Sequence, residues 1–182
     1  MAITINGSGT LSGVTAGLTA ASMPTGSIVQ TVTAEHSAET STTGVAYVDT
    51  GLSASITPSS SSNKIMVIVS QYWHLERSTD QARGAIRLLR GSTVIEEGSN
   101  TADGSEGGAL GFSSANGPGA IQITNRYNLV LLDSPSTTSA TTYKTQMANH
   151  QTGSSPIMTI NKNFNSNGQN AKGYITLMEV VA

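Results

Sequence analysis

These 182 residues contain no cysteine, which excludes disulfide staples, thiolate metal sites and cysteine nucleophiles. Charge is also scarce: Asp, Glu, Lys and Arg make up 11% of the chain, against roughly 25% in an average soluble domain. The nine Lys and Arg residues are scattered and the formal net charge is −2. That argues against a nucleic-acid partner, whose phosphates are gripped by clustered cations. Apolar residues reach 37%, yet no run approaches the roughly 20 positions that a membrane helix needs. No membrane insertion is expected. No Lys or Arg stands ahead of an apolar stretch at the start, so no signal peptide is expected either. The apolar residues keep a period near 2, not 3.6, and no helix is predicted.

What is present in excess is Ser and Thr, about a quarter of the residues, together with 19 Gly. The length suits one domain with an extension. Residues 1–25 are rich in Gly, Ala, Ser and Thr, punctuated by Ile3, Ile5, Leu11, Val14 and Leu18. Such a segment cannot bury enough surface to fold alone, and it reads as an extended arm that anchors on a partner. A disordered tail is the alternative. Residues 26–182 read as the folded body.

Within that body short strands alternate with turn residues. Strands are expected over 28–34, 64–73, 121–132, 141–148, 157–161 and 173–181. Leu52, Ala54 and Ile56 alternate with Ser53, Ser55 and Thr57, the period of a half-buried strand. Segments 83–90 and 93–97 form a hairpin candidate across Gly91 and Ser92. A long loop spans about 98–119, crowded with Gly, Ser and Asn. Many short strands with regular turn signals predict an all-β fold, an antiparallel β-sandwich of jelly-roll type.

Several strands are apolar on both faces. Ile65, Val67 and Val69 oppose Met66 and Ile68; Leu129 and Leu131 oppose Val130 and Leu132; Ile175, Leu177 and Val181 oppose Tyr174, Met178 and Val180. A sandwich strand facing water should be polar on one side. Another subunit, the arm, or the chain's own loops must cover the second face, and three such strands favour an oligomer.

His36, His74 and His150 lie far apart, without the close His spacing usual in a jelly-roll metal site. No metal and no cofactor are expected. Glu96 and Glu97 are neighbours on a strand and point to opposite faces, so they cannot line one cleft as a catalytic pair. Asp103 and Glu106 lie in a Gly-rich loop without the ligand count of a calcium hand. No Gly-x-Ser-x-Gly elbow occurs. No catalytic residue is assigned, and the chain is not expected to be an enzyme. One recognition surface is a candidate: Tyr72, Trp73 and His74 at the end of the strongest strand, with Asp103, Glu106 and Phe112 in the long loop. An aromatic at a strand end can stack on a sugar ring. A packing role for Trp73 in the core or an interface is the competing reading.

Several segments resemble the structural proteins of tailed bacteriophage virions, tail-fibre-like or capsid-decorating, from marine and cyanobacterial phages. They are Ala-Ile-Thr-Ile-Asn-Gly-Ser-Gly-Thr-Leu-Ser-Gly-Val from Ala2, Met-Pro-Thr-Gly-Ser-Ile-Val-Gln from Met23, and Asp-Thr-Gly-Leu-Ser-Ala-Ser-Ile-Thr-Pro from Asp49. The likeness continues through residues 59–69, Arg-Leu-Leu-Arg-Gly-Ser-Thr-Val from Arg87, residues 132–145, and Ile-Thr-Leu-Met-Glu-Val from Ile175. Together these cover more than half the chain, in order, while 71–85 and 98–120 depart from the pattern. The resemblance implies a homotrimeric component on the exterior of a phage particle, with other capsid or tail proteins as partners and a host cell-surface glycan as a further candidate partner. Particle assembly inside a host and release by lysis fit the missing signal peptide. The resemblance carries no catalytic residues. A free carbohydrate-binding module that recognises a host surface, and a jelly-roll metal enzyme, are the alternatives.

Overall fold

The structure is a computed structural model that describes residues 4–5, 11–12, 22–77, 84–97, 121–149, 157–162 and 171–182. In chain order the strands are β1 (Thr4–Ile5), β2 (Leu11–Ser12), β3 (Ile28–His36), β4 (Thr40–Thr42), β5 (Val48–Ile56) and β6 (Lys64–Arg77). They continue with β7 (Gly84–Arg90), β8 (Thr93–Glu96), β9 (Ile121–Asp133), β10 (Thr141–Asn149), β11 (Ile157–Ile160) and β12 (Gly173–Val180). No α-helix occurs among the described residues. The chain is an all-β antiparallel sandwich, as its sequence pattern predicts.

One sheet runs β5-β10-β7-β8; the other runs β3-β12-β6-β11-β4, with β9 also paired to β6. The second sheet forks on β6. One flank of β6 pairs with β9 from Ile65 to Arg77, while the other pairs with β12 up to Ser70 and with β11 from Trp73. Gly173 lies where the branches meet, and a Cβ there would stand 3.3 Å from Gln71 Cγ, which would have to give by a few tenths of an ångström.

Alternation builds the core. Leu52, Ala54 and Ile56 of β5 are buried while Ser53 and Ser55 are exposed. Facing them are Ile65, Val67, Val69, Trp73 and Leu75 of β6, Ile175 and Leu177 of β12, and Met158 and Ile160 of β11. Tyr143 and Met147 of β10 and Ile86 and Leu88 of β7 complete the packing. A polar thread crosses this interior: the Thr50 hydroxyl lies 2.6 Å from that of Thr145, which donates to Gln71 Oε1 at 2.8 Å. Buried hydroxyls need such partners, because an unpaired one costs about 1–3 kcal/mol. A second tie between the sheets is Asp133, which accepts from Arg90 Nη1 at 2.8 Å and from the Tyr143 hydroxyl at 2.7 Å. Burial and the bond to Asp133 both push the Tyr143 phenol pKa up.

The structure also corrects the sequence reading in places. β6 runs on to Arg77, so Tyr72, Trp73 and His74 sit inside a strand instead of at its end. β4 was not foreseen: Thr40, Ser41 and Thr42 offer no apolar residue to mark it. In the segment read as an extended arm, β1 and β2 pair antiparallel with each other. Past that segment the chain is tied to the body at once, since Gly26 N–H donates to the Val181 carbonyl and Val181 N–H to the Ser27 carbonyl. Of the other arm positions, Ile3, Val14 and Leu18 lie outside the described residues, as does the loop 98–119.

Candidate functional site

The aromatic recognition surface does not survive as a surface. Trp73 is 1% exposed and belongs to the core, and His74 is fully buried. Neither can stack on a ligand from solvent; of the three, Tyr72 alone is partly exposed. The packing reading of Trp73 is the right one. Asp103, Glu106 and Phe112 lie outside the described residues. His74 Nε2 lies 3.2 Å from Glu76 Oε2, which takes a 2.5 Å ion pair from Lys162 Nζ. Burial pushes the His74 pKa down, and the bond to Glu76 opposes this without cancelling it. Lys162 and His74 together hold the Glu76 carboxyl below its ordinary range. The trio is a buried imidazole beside a Glu76–Lys162 ion pair. Among the described residues no three His, Asp or Glu side chains gather as metal ligands would.

The two outward faces of the sandwich differ sharply. On the four-stranded sheet the outward side chains form a charged mesh. Arg87 donates to Gln146 Oε1 at 2.9 and 2.8 Å, pairs with Glu97 at 3.2 Å and lies 3.7 Å over the Tyr47 ring. Asp49 takes Lys144 at 2.8 Å and Gln146 Nε2 at 2.7 Å, and these bonds hold its carboxyl below the ordinary range. Such a face suits water.

On the six-stranded sheet, cross-strand register places the outward side chains in rows, because directly paired residues share a face. Leu132, Met66, Met178 and Thr31 form one row. Val130, Ile68, Thr176 and Thr33 form the next, and Asn128, Ser70, Tyr174 and Glu35 the third. The first two rows hold an apolar block of Leu132, Met66, Met178, Val130 and Ile68. Val130 is 69% exposed and Leu132 49%. Polar groups close one side of it: Thr33 bonds Thr176 at 3.2 Å, Arg126 reaches Ser70 Oγ at 3.3 Å, and Lys172 pairs with Glu35 at 2.8 Å. An apolar block with a polar margin is the anatomy of a protein contact surface.

The doubly apolar strands foreseen from sequence are therefore real, and they lie side by side. Two features escaped the sequence reading. One is the charged mesh, whose members are scattered from Tyr47 to Gln146. The other is Glu179, a 1% exposed carboxylate on β12. Its Oε1 accepts from Ser59 N–H at 2.7 Å, Ser59 Oγ at 2.6 Å and Asn63 Nδ2 at 2.7 Å. Its only sequence signal is an acid inside the apolar run Leu-Met-Glu-Val-Val. Beside it a groove of about 520 Å³ is lined by Met23, Ile28, Val29, Gln30, Thr57 and Ser59.

No protein-family model matches the chain, and no curated protein matches it. Among solved structures it is similar to a chain in "Structure of infectious bursal disease virus Gx strain", with a TM-score of 0.36 and 12% identity. The match covers 86% of this chain and 39% of that one, so this chain spans about two fifths of that protein's length. The likeness is remote and bears on neither activity nor partners.

Proposed function

We propose that this chain is a non-enzymatic structural subunit on the exterior of a bacteriophage particle, and that its copies associate through the outward face of the six-stranded sheet. The apolar block of Met66, Ile68, Val130, Leu132 and Met178 carries the association, since water-facing sheet surfaces are normally polar and the opposite face of this sandwich is. The virion setting rests on the ordered resemblance of segments 2–14, 23–30, 49–69, 87–94, 132–145 and 175–180 to phage tail-fibre-like and capsid-decorating proteins. On that reading the body is a knob, three copies to an assembly. It is held to capsid or tail by residues 1–25 and presents loop 98–120 to a host-surface glycan. A carbohydrate-binding module built on Trp73 has no platform here.

Sedimentation velocity on the purified full-length chain tests the association. The wild type is expected to sediment as an oligomer, and Met66→Ser with Met178→Ser is expected to shift it toward single copies while it stays folded. A wild-type chain that runs as single copies at every concentration overturns the association. Imaging of intact particles with a labelled antibody tests the setting, which falls if no particle carries the chain.

A further inference from the structure

We propose that the edge of β9 that no described strand covers is a strand-pairing site, and that its occupant is the β9 of a second copy running antiparallel to it. The inference rests on the reading that copies of this chain associate, and it names one contact between them.

Edge strands expose a row of backbone N–H and C=O groups ready to pair with another chain, and proteins blunt them with shortness, bulges, Pro or Lys. Among the described strands, four of the edges carry such a device. β3, β5 and β8 each show a register shift against their single partner, at Glu179/Val180, Lys144/Gln146 and Leu88/Leu89. β4 is three residues long. β9 has none of these devices. It is 13 residues long, contains neither Pro nor Lys, and pairs with β6 from Ile121 to Asp133 with no shift in register. Its other edge has no partner among the described strands. Val130 and Leu132 stand exposed along it. The Arg126 N–H is taken by Asn125 Oδ1 at 2.8 Å, but a long edge without a shift in register, apolar at its Val130 and Leu132 end, is what a sheet presents when another strand completes it.

A second copy fits this edge by its chemistry. Two identical strands related by a two-fold axis form an antiparallel ladder without further design, each supplying the donors that the other lacks. The outward side chains of β9 from Gln122 to Leu132 include one charge, Arg126. Asp133 is already engaged by Arg90 and Tyr143. Two copies can thus set Val130 and Leu132 against their counterparts, and like charges oppose each other only if the axis passes through residue 126. Because this contact is two-fold, a three-fold association would run through the outward faces, and edge pairing would link one such trimer to the next.

The absence of cysteine makes the test clean. Single substitutions Thr124→Cys, Asn128→Cys, Val130→Cys and Leu132→Cys are made in the full chain at exposed positions, with Met178→Cys as the control. Each is mildly oxidised, alone and in mixed pairs, and resolved without reductant. Antiparallel pairing is expected to cross-link only combinations whose residue numbers add to one constant sum, with cross-linking lost two positions away. Met178 lies two strands from β9, about 10 Å, beyond disulfide reach in an edge-paired dimer. Cross-links at Met178→Cys alone overturn edge pairing while leaving face association standing. Cross-links along β9 that obey no constant sum overturn the antiparallel arrangement. No cross-link anywhere, with single-copy sedimentation, overturns both readings.

Discussion

Glu179 shows how much one side chain can organise. Burial by itself raises a carboxyl pKa, but the hydroxyl and N–H of Ser59 and the Asn63 amide bond the charged form, and the net effect is to lower it. A carboxylate depressed on folding adds stability above its unfolded value of roughly 4.3, and that stability is lost as pH falls through the lower folded value. Glu179→Gln should therefore cost about 1–3 kcal/mol at neutral pH, because the neutral amide oxygen accepts these three bonds more weakly than the charged carboxylate. Urea unfolding at pH 7 and pH 3 checks this: the gap between wild type and variant should shrink at the lower pH, and an unchanged gap would refute the titration account. Trp73 belongs to the same scale. Trp73→Ala should cost about 3–5 kcal/mol, read as a lower denaturation midpoint, because the ring fills the core. That Trp73 could be packing was legible in the sequence; that Glu179 clamps the turn at Ser59 was not, since the partners are 120 positions apart.

Strands announce themselves by contrast between neighbours. β5 was legible because Leu52, Ala54 and Ile56 alternate with serines, and the burial pattern repeats that alternation. β4 was not, because Thr-Ser-Thr has no contrast and pairs only through its backbone with Met158, Thr159 and Ile160. One valine from each of β6 and β9, Val67 opposite Leu131 and Val130 opposite Ile68, puts the same logic to work. Val67 is fully buried and Val130 is 69% exposed. Val67→Thr should cost about 1–3 kcal/mol by burying a hydroxyl, whereas Val130→Thr should change the unfolding free energy by less than about 0.5 kcal/mol while weakening association. Chemical denaturation and sedimentation of both variants check the pair; equal stability losses would mean that the outward face is already covered within one chain.

At the scale of the whole molecule, composition made the fold class readable, since scarce charge, abundant Ser and Thr and period-2 alternation admit few alternatives to a sandwich. The order of strands was not readable. β3 pairs with β12 and β6 with β9 across long stretches of chain, and nothing local records such pairings. If folded copies bind one another, mass action ties stability to concentration. The melting temperature should rise with protein concentration, and scanning calorimetry over a hundredfold dilution series checks it; a constant midpoint would count against the assembly. The forked sheet has a mechanical consequence. Tension along β6 loads the β9 ladder in shear without interruption, while the opposite flank breaks between Ser70, the last residue paired to β12, and Trp73, the first paired to β11. Across that break the Tyr72 carbonyl is held by Asn161 N–H at 3.0 Å. A crack under load would start there, and β9 would be the member that stops it.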